Sequence, residues 1–314
     1  MTGGDEQRTA HAPEGAKLWG LVVTYRRPEE LGRMLDTLGS QTRGLDRLLV
    51  VDNGSDNSVR LLAEENGLLY VDAGDNLGPA GAIHLGLNLI ADQAGDDDWV
   101  MLLDDDDPPH RADLIAGMWG FAHWALEYFD NVGAVGLVGA RYDSRRGRLV
   151  RVPDSELTGA VAVDYIGGGQ FPLYRVSAVR SAGAGDPSFF FGFDDVELGM
   201  SMRAAGYAIY CHGDFWRERR DYFGKIGLSP RRIRTDPRTS SWRQYYSVRN
   251  ATVLAKRYAA PLRYLPIGAM AALLATLRIA RQRRPLREVA LPARGYVDAI
   301  RGRCGRTVEP VAHP

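Results

Sequence analysis

The chain has 314 residues, 45% hydrophobic and 25% charged, a globular composition long enough for one large domain with an appendage. Its 39 Lys and Arg balance 39 Asp and Glu, so net charge gives no case for nucleic-acid binding. Two cysteines, Cys211 and Cys304, are too few for a disulfide framework and lack zinc spacing, which fits a reducing, cytoplasmic setting. Residues 1–16 are polar without an apolar signal-peptide core and read as a disordered lead.

Residues 18–24, "LWGLVVT", predict a strand. Residues 28–40 place Leu31, Met34, Leu35 and Leu38 on one helical face, with Pro28 and two glutamates at the start. A second strand follows at 47–52, then turn-rich "NGSDNS", a helix at 57–66 and a short strand at 68–72. A helical stretch near 80–94 leads to an apolar strand, 99–103, which runs into four aspartates, Asp104 to Asp107. Alternating strands and helices predict a doubly wound α/β sheet, whose ligands bind beyond the carboxyl ends of the strands. Three polar clusters fall there: Thr24-Tyr25-Arg26, Asp52 to Asp56, and the aspartate run.

The second half is less regular. Strands are expected at 134–140 and 160–166, a flexible loop at 167–171, "GGGQF", and a helix over 172–182 containing Leu173. "SFFFGFDDVELGMSMRAAGY" sets Asp194 and Asp195 before a helix that ends at Gly206. Residues 213–241 are polar and Arg-rich and read as a mobile segment, and 241–258 as a helix. From 251 to 303 eleven Lys and Arg stand against Glu288 and Asp298 only. Within that stretch "YLPIGAMAALLATLRIA" is apolar but shorter than the roughly 20 residues of a spanning helix. It reads either as an interfacial helix at an anionic inner leaflet or as a helix packed on the domain with a solvated basic face.

Four adjacent carboxylates repel one another and are costly to bury. The run is therefore either a solvated acidic turn or a site for a hard cation, since Mg²⁺ favours one or two carboxylates plus phosphate oxygens.

In order along the chain, "VVTYRRPEEL", "LLVVDNGSDN", "DNLGPAGAIHLGL", "WVMLLDDDD", "FFFGFDDVELGMSMRAAGY" and "YYSVRN" resemble the inverting GT-A glycosyltransferases of family 2, in particular their rhamnosyl- and galactofuranosyltransferase-like branch. The resemblance spans roughly 18–258. It implies a GT-A domain over 17–258, with a nucleotide-binding half at about 17–110 and an acceptor half at about 111–258, followed by a basic helical extension at 259–314. It implies Mg²⁺ or Mn²⁺ as cofactor and a UDP- or dTDP-sugar donor. The implied acceptor is a glycan, a lipid-linked glycan or a small molecule. Residue by residue, it gives Thr24, Tyr25, Arg26 and Asp52 to the nucleobase and ribose, and Asn76 and Gly78 to the donor. Asp104 falls at the first aspartate of the D-x-D motif, facing the ribose, and Asp105 at its middle position. Asp106 falls at the second aspartate, the metal ligand. Asp195 takes the catalytic base position, with Asp194 before it, and Gly168 and Gly169 form a wall of the sugar site or a plain turn. Relatives complete the metal site with a histidine beyond the base helix. Here His212 comes early, Arg219 stands near the usual place, and Asp214 and Glu218 are other candidates.

Rival classes fit less well. "GPAGAIHLG" is not G-x-G-x-x-G and follows the third strand, against a dehydrogenase. A D-x-D phosphohydrolase would carry its nucleophile at the first strand, which ends here in Thr24-Tyr25. A sugar nucleotidyltransferase would need a Gly-rich basic loop there, and "TYRRPEEL" is a poor one. A non-catalytic nucleotide-sugar-binding protein remains the other alternative. Trp216, Trp242, Tyr245 and Tyr246 read as core or as acceptor contacts, and Arg249 as a phosphate contact or a surface ion pair.

Overall fold

The computed structural model describes residues 15–228, 240–282 and 284–310. The lead therefore lies almost wholly outside the described residues, as does the end of the expected mobile segment. The first half alternates as its periodicities require: β1 (Leu18–Thr24), α1 (Pro28–Gly39), β2 (Arg47–Asp52), α2 (Asn57–Glu65), β3 (Leu69–Asp72), α3 (Gly78–Ala91), β4 (Trp99–Asp104) and α4 (Leu114–Tyr128). Pro28 presets the first turn of α1, and Asp56 caps α2 by accepting from the Ser58 amide at 2.9 Å.

The second half contains β5 (Val132–Gly136), β6 (Gly139–Asp143), β7 (Arg148–Val150), β8 (Ala160–Val163), β9 (Tyr165–Ile166) and β10 (Leu173–Arg175). It continues with α5 (Val176–Ala182), α6 (Asp194–Ala204), β11 (Ala208–His212) and α7 (Gly213–Tyr222). The chain closes with α8 (Ser241–Tyr258), α9 (Tyr264–Arg281), α10 (Leu286–Val289) and α11 (Leu291–Ile300).

Eight strands form one mixed sheet in the order β3-β2-β1-β4-β10-β5-β11-β8. The parallel block β3-β2-β1-β4 carries the crossovers, and β10 runs antiparallel to both β4 and β5. The pleat divides the core in two. Trp19, Leu21, Val51 and Leu102 face one layer, and Leu18, Val22, Val50 and Leu103 the other. A small ribbon, β7-β6-β9, flanks the sheet.

Three sequence expectations change. Leu173 and Tyr174 belong to a strand rather than a helix, because both side chains are buried where β10 fills the gap between β4 and β5. Neither long strand at 134–140 or 160–166 is continuous. The Leu137 amide turns to the Gln170 carbonyl and the Gly167 amide to that of Val138, so β6 and β9 leave the main sheet. Residues 213–222 form α7, whose Trp216, Arg219 and Arg220 are buried, so charge there marks interior pairing rather than solvation.

Helices α9 and α11 pack on α8. Gly268 and Gly295 allow this, since a Cβ on Gly268 would lie 2.5 Å from Thr252 Oγ1 and one on Gly295 2.5 Å from the Tyr245 carbonyl.

Candidate active site

The parallel pairing of β1 with β4 aligns Val23 with Asp104, so Thr24 and Asp105 leave the sheet together. The Thr24 hydroxyl donates to Asp105 at 2.7 Å, and both side chains are buried. Arg27, two turn residues later, donates to Asp105 at 3.3 Å and to exposed Asp106 at 2.7 Å. From the other side, buried Arg219 of α7 reaches Asp107 at 2.6 Å while stacking over Phe223 and Phe171. Two guanidiniums thus serve three of the four carboxylates.

The fourth carboxylate, Asp104, has no hydrogen-bond partner among the described residues. Burial first, then the charges of Asp106, Asp105, Asp107 and Asp195, push its carboxyl up to about 6.

The glycine loop ties this cluster to the acidic pair at the start of α6. The Gly168 amide donates to Asp195 at 3.1 Å. Gly169 sits against the aspartate run at φ +65°, where an added Cβ would lie 2.8 Å from Asp104 Oδ2 and 3.2 Å from Asp107 Oδ2. Asp104, Gly168, Asp194 and Asp195 line one cavity of about 310 Å³, whose floor is apolar through Leu102, Pro172, Tyr174 and Leu198. Burial and the adjacent Asp195 push Asp194 up to about 7. Burial also raises Asp195, opposed by the Gly168 and Val196 amides. Replacing Gly169 with Ala should cut activity at least about tenfold while costing only about 1–2 kcal/mol of stability, since the new methyl displaces Asp104 and occupies left-handed backbone. Turnover beside a melting curve tests this, and an unchanged kcat would dissociate the loop from the reaction.

The other expected site residues lie at the rim or beneath it. Tyr25 is exposed, and Arg26, at φ 55°, lies over its ring at 5.3 Å. Asp52 is fully buried. Its oxygens accept from the Gly54 and Asp56 amides and from the Tyr70 hydroxyl, at 2.7–3.0 Å, so it shapes its own loop. Asn76 accepts from the Gly78 amide at 2.9 Å and from Asn53 at 3.3 Å, fixing the entry to α3. Gly78, at φ +68°, abuts the Phe190 carbonyl so closely that a Cβ would lie 2.1 Å away. Both residues therefore set the turn that presents Pro79 and Ala80 to the cavity.

His212 is not part of the aspartate cluster. It ends β11, three strands from β4 and so about 14 Å across the sheet. Its ring is stacked on Phe215 with centroids 4.1 Å apart, and Nδ1 accepts the Phe215 amide at 3.5 Å, an α7 cap. Its pKa is lowered, chiefly by burial. Asp214 and Glu218 are likewise engaged elsewhere, with Gly159 and Arg111. Among the described residues no group of three or more His, Cys, Asp or Glu is arranged to hold an ion. The carboxylates left to a hard cation are Asp104, which lines the cavity, and exposed Asp106, which is already paired with Arg27. Such a set fits Mg²⁺ or Mn²⁺ only if a diphosphate and water complete the shell.

Arg27 is the site residue that sequence reasoning missed, and the parallel alignment of β1 and β4 could have pointed to it. Arg219, which the motif order placed near the usual histidine, is the buried partner of Asp107, 112 residues away.

Trp216, Tyr245 and Tyr246 are fully buried core residues. Arg249 is also fully buried, donating to the carbonyls of Ser188, Phe189 and Gly305, so it is neither a phosphate contact nor a surface ion pair.

Residues 21–156 match the model of glycosyl transferase family 2. The chain is 32% identical over 206 residues to galactofuranosyltransferase GlfT1 of Mycobacterium tuberculosis, covering 60% of this chain and 65% of that protein. It is 31% identical over 204 residues to GlfT1 of Mycolicibacterium smegmatis, covering 59% and 65%. The match thus spans just under two thirds of these relatives' length. Among solved structures, a mannosyltransferase of Pyrobaculum calidifontis in complex with GDP-Man and Mn²⁺ superposes with a TM-score of 0.51 at 17% identity, over 94% of this chain and 90% of that one. The S. aureus TarS fragment with UDP gives 0.50 at 15% identity, over 90% and 81%.

Proposed function

We propose that the chain is a member of glycosyl transferase family 2, whose model matches residues 21–156, on a GT-A fold, and that it transfers a sugar from a nucleotide-sugar donor to an acceptor hydroxyl, inverting the anomeric centre. The observation that carries this reading is the shared cavity. Asp104, the first residue of the cation-attracting carboxylate run, lines it from the end of β4, and a second, separately held carboxylate pair, Asp194 and Asp195, lines it from α6. One group suits a diphosphate leaving group, and the other suits the incoming hydroxyl.

In this mechanism Asp195 accepts the acceptor's proton as the hydroxyl oxygen attacks the anomeric carbon. Its Gly168 hydrogen bond orients the carboxylate, and the apolar floor excludes water. Direct displacement needs no enzyme nucleophile. Thr24 fixes Asp105, and Asp105 with Asp106 holds Arg27 at the mouth, where its guanidinium can meet the departing diphosphate. Asp104 faces the ribose side of the donor, and Tyr25 and Arg26 offer an exposed ring and cation to the nucleobase. A divalent ion held by Asp106 would neutralise charge developing on the leaving group.

The donor proposed is a UDP- or dTDP-linked galactofuranose or rhamnose, and the galactofuranosyltransferase relatives favour the furanose. The acceptor proposed is a glycan, free or lipid-linked, met in the cytoplasm, a setting supported by two free cysteines.

Calorimetric titration with UDP, dTDP and GDP, each with and without Mn²⁺ or Mg²⁺, tests the donor site. One nucleotide should bind selectively, and metal should tighten it about tenfold or more, or about 1.4 kcal/mol. In Asp106→Ala the ratio of affinities with and without metal should fall close to one. Absence of binding by all three nucleotides would sink the proposal. A retained metal effect in the variant would move the ion away from Asp106.

A further inference from the structure

We propose that α9 is an in-plane membrane-docking helix that seats the protein on an anionic bilayer. Gly268, Ala272, Ala275 and Ile279 form its buried stripe, facing α8 and α11. The opposite stripe is Met270, Leu273, Leu274 and Leu277, at i, i+3, i+4 and i+7, and these four side chains are 45–55% exposed. Long apolar side chains repeated on the solvent face of a helix are unusual for a soluble surface and mark a contact.

The charge around the stripe specifies the occupant. No Asp or Glu occurs between Tyr258 and Glu288, whereas six arginines do. Arg263 precedes the stripe, and Arg281 and Arg287 follow it, all exposed. Leu286, 87% exposed, extends the apolar surface beside them. An apolar face bordered by arginines matches acyl chains beneath anionic headgroups. By length and composition alone its 18 residues could cross a membrane. Its buried stripe is instead fastened to α8 and α11, which holds the helix along the surface of the domain and so in the plane of the bilayer. This inference stands independently of the transfer reaction.

Sedimentation of the full chain with vesicles tests it, comparing pure phosphatidylcholine with a mixture containing phosphatidylglycerol. Binding should appear only with the anionic vesicles and weaken at high salt. The double substitution Leu273→Glu with Leu277→Glu should lower vesicle affinity at least about tenfold. Arg281→Gln with Arg287→Gln should lower it severalfold. Both variants should keep the wild-type melting temperature and nucleotide affinity. Three outcomes overturn the proposal: no vesicle binding by the wild type, binding that survives both double substitutions, or a concentration-dependent dimer that dissociates in the Leu→Glu variant, which would make the stripe a self-interface.

Discussion

Asp195→Asn should reduce sugar transfer by at least about 10³-fold, while the nucleotide binds within about threefold of wild type. The amide is nearly isosteric and sits at the head of α6, so the fold should tolerate it. The Gly168 amide can still donate to the side-chain oxygen. What is lost is the group that removes the acceptor's proton. Single-turnover transfer and nucleotide titration on the same preparation separate the two effects. Transfer within tenfold of wild type would reassign the base, with Asp194 as the first replacement to examine.

A pH profile should carry the same signature. Burial raises both carboxyls of the pair, Asp194 to about 7. The base acts only when ionised and burial raises its carboxyl, so kcat should go on climbing with pH above the ordinary carboxylate range. The stability effect has the opposite sign. Carboxyls raised in the folded state favour folding below their unfolded pKa, and that contribution is lost as pH rises through the raised value. The ligand-free protein should therefore gain stability on mild acidification from pH 8 toward 6 while losing activity.

How much of this was legible depends on the range of the signal. The parallel half was readable because its strands and helices carry local periodicity, and because Asp104 and Asp195 stand within motifs of a few residues. The antiparallel insertion of β10 was not readable. "LYRVSAVRSA" satisfies a helical pattern, and only the gap between β4 and β5, filled by residues far apart in sequence, makes Leu173 and Tyr174 a strand. The same limit explains α7. A segment rich in Arg and Asp resembles a solvated one until Asp154 and Asp107, distant in the chain, are seen paired with Arg220 and Arg219. Asp52 and Asn76 illustrate a third limit. Residue type and strand-end position mark them equally well as ligand contacts or as loop staples, and only the geometry shows their oxygens already accepting backbone amides.

"YYSVRN" was readable as a motif but not as a mechanism, and its role leads to the second large effect. Arg249 is fully buried and directs its fork at the carbonyls of Ser188, Phe189 and Gly305, while Tyr246 lies against it at 4.7 Å. Its neighbour Asn250 donates to the carbonyls of Phe189, Phe191 and Gly192 at 2.7–3.0 Å. Together they clamp the loop that carries Phe190 and Phe193 in left-handed conformations and delivers Asp194 and Asp195 to the cavity. Arg249→Met keeps the apolar stem but leaves buried carbonyls unpaired. The cost should be about 3–5 kcal/mol, a large part of the stability of an ordinary domain, with a melting temperature lower by roughly 5–10 °C. Arg249→Lys should recover little, because a single ammonium cannot satisfy a forked set of acceptors. Asn250→Ala should cost less stability but lower kcat more than it changes nucleotide affinity, since it frees the part of the loop nearest the base. Melting curves for the Arg249 variants, read beside kcat and nucleotide affinity for Asn250→Ala, test the clamp. A melting temperature within about 2 °C of wild type in Arg249→Met would show that the loop holds itself, and its strained backbone would then need another source of restraint.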